Sequence, residues 1–194
     1  MKALTVDQIL PNEEFVARRP ALEAQVVRAK GVRRLTVGGH LTFLFENHLT
    51  MWWQVQEMCR VENITSTSGI AHEVQTYGAL MTRPDSIAAT LLLEYAEPDQ
   101  RDAALAQLLG LQHHVHLEAE GVGRVTAEFD AEQFNERRIS SVQFIRFPVS
   151  EALRAALGQL ATPVRLVVDH PALSTSLDLP GTLRAALVDD LRES

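Results

Sequence analysis

The chain has 194 residues, of which 46% are hydrophobic and 22% charged, and we predict one domain over residues 1–194 that buries its own core. The single cysteine, Cys59, excludes a disulfide and a metal centre built from paired thiolates, and it is typical of a reducing compartment. The net charge of −7 argues against nucleic acid as a partner, and no apolar run approaches the ~20 residues of a membrane span, so we expect a cytoplasmic protein that binds neither.

The first half of the chain predicts helices around one hairpin. Thr5 and Asn12 are expected to cap two short helices, and Pro20 to lie in the first turn of a longer helix that ends near Gly31. Residues 35–37 and 41–45 alternate around Gly38 and Gly39, which indicates a β-hairpin. Helices are predicted over 47–62 and 69–80, with caps supplied by the Thr/Ser run at 65–68.

The second half predicts mainly strands. We expect strands at 87–95, 142–147 and 164–168, a hairpin of 113–120 with 124–129, helices at 99–109 and 150–160, and a last helix from Pro180. Hairpins outnumber strand–helix–strand crossovers. The predicted fold class is therefore α+β, with a mainly antiparallel sheet of about six or seven strands covered by helices.

The helix over 47–62 carries polar groups beside its apolar stripe. Trp53 and Glu57 lie opposite the stripe, and we expect Trp53 to pack inside the molecule rather than to serve a partner. On the following helix, Glu73 precedes Tyr77 by one turn, whereas His72 faces outward. Gln54, Glu57, Glu73 and Tyr77 are predicted first to form a buried polar lock between the two helices, and second to form a ligand site.

Two histidine clusters offer weaker sites. His114, His116 and Glu118 share one face of a strand and are a candidate set of iron, zinc or manganese ligands, although an apolar opposite face favours the wet side of a hairpin. Asp169 and His170 precede a Ser/Thr run at 174–176, but no nucleophile elbow is present, so a catalytic triad is not predicted. Asp169 is expected to order the turn before Pro171, and the serines to act as caps.

The order of several short segments resembles a bacterial family of domains of unknown function, DUF3501. The residues that carry the resemblance are 45–47, 54–58, Tyr77 and 168–171, and it extends over nearly the whole chain; the histidine-rich strand and His72 lie outside it. The resemblance implies no established activity and therefore no catalytic residue. Members of the family tend to be encoded near rubrerythrin-like proteins and iron–sulfur oxidoreductases, which implies a role beside redox or peroxide-defence enzymes.

Two functional hypotheses remain from the sequence. The first is a non-catalytic accessory or binding protein that docks a redox enzyme or a second copy of itself through the helix with Trp52 and Trp53. The second is a small metal- or ligand-dependent enzyme with a carboxylate-rich pocket between helices and sheet. The candidate polar site comprises Glu46, Asn47, Gln54, Glu57, Glu73, Tyr77 and His170, and no cofactor is assigned to it.

Overall fold

The computed structural model of the chain describes residues 3–130, 133 and 137–193. A short 3-10 helix, Val6–Gln8, precedes six α-helices: α1 (Asn12–Arg33), α2 (His48–Val61), α3 (Thr67–Gly78), α4 (Pro98–Gln107), α5 (Glu151–Gly158) and α6 (Gly181–Glu193). The strands are β1 (Arg34–Val37), β2 (Leu41–Phe45), β3 (Ser86–Leu93), β4 (Val115–Ala119), β5 (Gly123–Thr126), β6 (Glu128–Phe129), β7 (Val142–Pro148), β8 (Val164–His170) and β9 (Leu173–Asp178). The α+β fold class is confirmed.

The strands form two antiparallel sheets, whereas the sequence predicted a single sheet of about six or seven strands. Sheet A has the order β1–β2–β3–β7–β6, and sheet B has the order β5–β4–β8–β9. The predicted strand over 124–129 is divided between them, because the buried Ala127 binds the carbonyl of Val115 with its N–H and the chain then crosses from β5 to β6. The hydrophobic pattern of this strand did not reveal the change of sheet.

One large core joins the two sheets. Strand alternation sends Phe43, Phe45 and Ile87 of sheet A into the same apolar cluster as Leu117 and Leu166 of sheet B, and residues of α4, α5 and α6 complete that cluster. The other face of sheet A carries residues such as Glu46, Thr90 and Arg146. Polar groups on this second face of sheet A therefore lie outside the main core.

Helix α1 differs from the prediction. It is one helix of 22 residues with Pro20 in its interior, and Asn12 is its first residue rather than a side-chain cap. Proline removes one backbone hydrogen bond and would normally break a helix. Here Phe15 and Val26, on either side of Pro20, both belong to the apolar cluster of Trp53, so packing on α2 holds the two halves together.

The predicted caps at Thr5 and in the Thr/Ser run at 65–68 are confirmed, and Asn47 supplies a cap that was not predicted. Asn47 caps α2 by accepting a hydrogen bond from the N–H of Thr50, Ser66 caps α3, and Thr5 forms a capping box at the first short helix. Gly38 and Gly39 turn the β1–β2 hairpin with positive φ values of 59° and 77°, a conformation that favours glycine. Trp53 is buried against the ring of Phe15, as expected, with 5.4 Å between the ring centroids.

The end of the chain contains a strand that the sequence did not predict. The Ser/Thr run at 174–176 lies in β9, which pairs with β8, so these residues do not cap a helix. Asp169 also lies within β8 rather than ordering the turn before Pro171. Within the described ranges, no helix combines the length and the apolar character that crossing a bilayer requires.

Candidate functional site

A cleft opens on the face of sheet A that points away from the main core. Its volume is about 220 Å³, and we call it the Arg146 cleft. The end of α3, the middle of β3, and strands β6 and β7 supply its lining, which includes Ala79, Leu80, Ala88, Thr90, Glu128, Phe129, Phe144 and Arg146. Because β3 pairs with β7 as Ala88 with Arg146 and Thr90 with Phe144, these four side chains share the floor of the cleft.

The lining of the cleft includes one basic residue, Arg146, and two acidic residues, Glu128 and Asp130. The guanidinium of Arg146 donates to the carbonyls of Ala79 (2.6 Å) and Met81 (3.0 Å) and to Ser86 Oγ (2.8 Å). No carboxylate of the described residues lies within ion-pair distance of it. Burial lowers the pKa of Arg146, with Arg83 acting in the same direction and Asp85 and Glu128 opposing the shift; an arginine pKa starts so high that the group stays charged.

Glu46 lies behind the floor of the same cleft. It follows β2, is 3% exposed, and accepts a hydrogen bond of 2.6 Å from the hydroxyl of Thr90 through Oε1. Its other oxygen, Oε2, is buried and has no hydrogen-bond partner. Burial raises the pKa of Glu46, and the hydrogen bond from Thr90 and the positive charges of Lys30 and Arg33 only partly oppose this shift. Glu46, one of the sequence-predicted site residues, is therefore connected to this cleft through Thr90.

Asn47 belongs to a neighbouring buried cluster. Its side-chain amide donates to Asp190 Oδ1 at 3.0 Å, and Arg33 Nη2 donates to the same oxygen at 2.7 Å. Arg33 ends α1, Asn47 precedes α2 and Asp190 lies near the end of α6, so the cluster ties three helices together. A buried polar lock exists in this protein, but it is built from these residues.

Glu57 is engaged by arginines. Its carboxylate accepts hydrogen bonds from Arg19 and Arg60, each at 2.7 Å, and Arg19 also lies over the ring of Trp53. Burial acts to raise the pKa of Glu57, but the hydrogen bonds from Arg60 and Arg19 outweigh it and hold the pKa below its ordinary value. Glu57 therefore fastens α2 to α1.

The structure does not bring Glu57 together with its expected partners. In the part of the chain that is described, no hydrogen bond or ion pair joins it to Gln54, Glu73 or Tyr77. The contact between α2 and α3 is apolar instead, because Tyr77 packs against the cluster of Met51, Val55 and Cys59. His72 is exposed, as the helix pattern predicts.

The histidines of sheet B converge on Asp169. Its Oδ1 lies 3.0 Å from Nδ1 of His114 and 3.1 Å from Nε2 of His116, and its Oδ2 accepts from Arg124. The hydrogen bond from His114 is the main cause that lowers the pKa of Asp169 to about 2, with burial opposing it and His116 and Arg124 contributing in the same direction.

The same network removes Glu118 from the predicted metal set. Glu118 pairs with Arg124 at 3.0 Å, and no group of three His, Cys, Asp or Glu residues among those described has the geometry to hold a metal ion. His170 lies on the core side of β8, where its Nε2 is 3.0 Å from the carbonyl of Leu109 and its ring packs edge-to-face on that of His114, with 5.1 Å between the ring centroids. The histidine-rich face is thus an ion-paired sheet surface.

Sequence reasoning missed Arg146 and Thr90. Both occupy outward positions of strands whose other residues are mostly apolar, and one arginine between Phe144 and Phe147 is a signal that alternation alone could have revealed. Their proximity could not be predicted, because it depends on the pairing of β3 with β7, two strands that are about 50 residues apart in the chain.

The family and the solved structure that the chain resembles are both described as being of unknown function. The family model described as "Protein of unknown function (DUF3501)" matches residues 3–191. The crystal structure of a novel protein of unknown function from Burkholderia pseudomallei is 31% identical, with a TM-score of 0.90 over 97% of this chain and 98% of that chain. No curated protein matches the chain.

Proposed function

Since the chain belongs to the DUF3501 family of proteins of unknown function, we propose a function from its own geometry: it is a non-catalytic binding protein that holds a small anionic ligand in the Arg146 cleft. The proposal depends on one observation. Arg146 is a half-buried guanidinium in a cleft, and it has protein hydrogen bonds but no carboxylate of the described residues within ion-pair distance; Asp85 and Glu128 act on it only from further away.

The count of donors on Arg146 supports an anion in particular. A guanidinium has five N–H groups, and the three hydrogen bonds to Ala79, Met81 and Ser86 use both of those on Nη1 and one on Nη2. The N–H of Nε and the second N–H of Nη2 remain. Two N–H groups of one guanidinium suit the two oxygens of a carboxylate or phosphate, which bind arginine in a bidentate manner.

The other polar groups support binding more than catalysis. Glu57 is neutralised by two arginines, and Asp169 forms an ion pair with Arg124 and lies within hydrogen-bond distance of two histidines. Acid–base chemistry needs a group that is free to exchange a proton with a substrate. Among the carboxylates of the predicted site, only Glu46 combines a raised pKa with a position beside a cleft.

An arylalkanoate is a suitable first probe. Calorimetric titration with 3-phenylpropionate should show binding, whereas the neutral alcohol 3-phenylpropanol should bind at least tenfold more weakly, because it cannot use the charge of Arg146. Arg146→Met should abolish binding of the acid, and Arg165→Met, which removes an exposed arginine of sheet B, should leave it unchanged.

A second outcome concerns Glu128, the cross-strand neighbour of Arg146. Its negative charge opposes an anion, so Glu128→Gln should tighten binding of 3-phenylpropionate. Circular dichroism and thermal unfolding identify any variant that fails to fold. Equal binding of acid and alcohol, or unchanged binding by a folded Arg146→Met, would contradict the proposal.

The family resemblance adds a partner to this proposal. We propose that the ligand-binding protein either contacts a redox or peroxide-defence enzyme directly or forms a homodimer. Tagged protein purified from its own host, with and without Arg146→Met, should recover an oxidoreductase or elute as a dimer at micromolar concentration. If neither an oxidoreductase nor a dimer is found, the partner part of the proposal fails. Ligand binding in the Arg146 cleft is then tested by the titrations alone.

The alternative is a small enzyme that uses Glu46. The observation that favours it is the raised pKa of a buried carboxyl that contacts a cleft-lining hydroxyl. Glu57, Glu73 and His170 do not join Glu46 in this alternative, because each lies on a different element. Incubation of bound ligands with protein, followed by mass spectrometry, separates the cases: a binding protein returns them unchanged, whereas turnover that Glu46→Gln abolishes would establish the enzyme.

A further inference from the structure

The floor of the Arg146 cleft holds a second polar group at a fixed position. Thr90 pairs across the sheet with Phe144, and Arg146 is two residues further along β7, so Thr90 and Arg146 are diagonal neighbours on the same face. Diagonal neighbours of an antiparallel pair are about 7–8 Å apart. A ligand group bound by the extended guanidinium can therefore carry a second group that reaches Thr90.

The hydroxyl of Thr90 is held in one hydrogen-bonding role while Glu46 is ionised, because a carboxylate only accepts hydrogen bonds. Its proton is directed to Oε1 of Glu46 at 2.6 Å. Glu46 is 3% exposed and its Oε2 has no hydrogen-bond partner, so loss of the Thr90 donor would leave its buried carboxyl without a side-chain hydrogen bond. What Thr90 presents to the cleft is thus the lone pairs of its oxygen, which only accept hydrogen bonds.

We propose that the ligand of the Arg146 cleft carries a hydrogen-bond donor, a hydroxyl or an amino group, next to its anionic group. This inference deepens the proposed function and rests on it. The anionic group binds the free edge of Arg146, and the neighbouring donor binds Thr90, which Glu46 holds as an acceptor. The ligand class is a small α-hydroxy or α-amino acid.

The apolar part of the lining, which lies beside the acidic Glu128 and Asp130, defines the third part of this ligand. Phe129 and Phe144 supply two aromatic side chains, and Ala79 and Leu80 supply an apolar end. The volume of about 220 Å³ is below the roughly 300–1,000 Å³ of sites for drug-sized molecules. An acid with one aromatic or branched apolar side chain matches these walls, because aromatic rings pair favourably with such surfaces.

Three acids that differ at one position test the inference. The probes are 3-phenylpropionate, which lacks the donor, 3-phenyllactate, which has a hydroxyl, and phenylalanine, which has an ammonium group. One added hydrogen bond should make 3-phenyllactate or phenylalanine bind about three- to tenfold more tightly than 3-phenylpropionate. A preference for phenylalanine over 3-phenyllactate would assign the donor as cationic, and the reverse preference would assign it as a hydroxyl; either result supports the inference.

Thr90→Val removes the hydroxyl and keeps the shape of the side chain. In this variant the three acids should bind with affinities within about twofold of each other, while 3-phenylpropionate itself binds as it does to the wild-type protein. Thr36→Val, on the same face of sheet A but outside the cleft lining, is the matched control and should keep the wild-type preference.

The outcomes separate this inference from the proposed function. If all three acids bind equally to the wild-type protein and Arg146→Met abolishes their binding, the anion site stands and the donor inference fails. The inference also fails if Thr90→Val keeps the full preference for a donor. If no acid binds in a manner that depends on Arg146, the proposed function fails and the inference fails with it. The comparison of the three acids needs no variant, so it remains decisive even where Thr90→Val does not fold.

Discussion

Breaking the buried ion pair between Arg33 and Asp190 should cause a large loss in the free energy of unfolding. Its two side chains are 11% and 6% exposed, and Arg33 Nη2 lies 2.7 Å from Asp190 Oδ1. Breaking a buried pair by removal of one partner typically costs 3–5 kcal/mol, because an uncompensated charge is left behind. In Arg33→Met the amide of Asn47 still donates to Asp190, so we expect a loss near the lower limit, about 3 kcal/mol.

Equilibrium unfolding in urea at pH 7 measures this loss directly. The double variant Arg33→Met with Asp190→Leu should recover most of the stability, because replacing both members by apolar groups leaves no charge buried. Arg34→Met is the control, since Arg34 and its partner Glu94 are about half exposed and their ion pair should contribute under about 1 kcal/mol. Equal losses in Arg33→Met and Arg34→Met would refute the reasoning.

Three further variants test other contacts. Because the pKa of Glu46 is raised in the folded state, its contribution to stability is greatest below pH 4.5 and falls as the pH rises through the folded pKa. Glu46→Gln should therefore reduce the dependence of the free energy of unfolding on pH, measured by denaturant titrations from pH 4 to 8. An unaltered pH dependence would exclude Glu46 as its origin. Trp53→Ala should lower the free energy of unfolding by about 3–5 kcal/mol, against about 0.5 kcal/mol or less for the exposed Val16→Ala. Asp169, with its pKa lowered to about 2, stabilises the fold above pH 3.8 and loses this effect as the pH falls through 2. Asp169→Asn should therefore differ from wild type at pH 5 but not below pH 2 in thermal unfolding, by under about 1 kcal/mol because its carboxylate is partly exposed.

Most helices and strands could be predicted because their signals are local. Asn47 and Ser66 cap the helices that they precede, and Gly38 with Gly39 turns the first hairpin. Each of these signals depends on backbone geometry within about four residues, which the sequence presents directly. The errors arose where packing outweighed the local signal, as at Pro20, which α1 tolerates because residues on both sides of it pack on α2.

The candidate site could be predicted only in part. The sequence indicated Glu46 as a polar residue at a strand end, but it joined Glu57 with Glu73, whereas Glu57 binds Arg19, 38 residues earlier in the chain. Helical periodicity gives the face of one helix on which a side chain lies. It does not give the neighbour that this face meets, so a carboxylate can be located without its partner being known.

The sequence by itself determined the α+β class, the membership in the DUF3501 family and the residues that begin and end most elements. The tertiary structure decided which polar groups meet. It divided the strands into two sheets, joined Arg33 to Asp190 across 157 residues, and brought Arg146, Thr90 and Glu46 to one cleft. The physical reason is that periodicity and caps act within one turn or one strand, whereas these contacts depend on strand pairing and helix packing between distant parts of the chain.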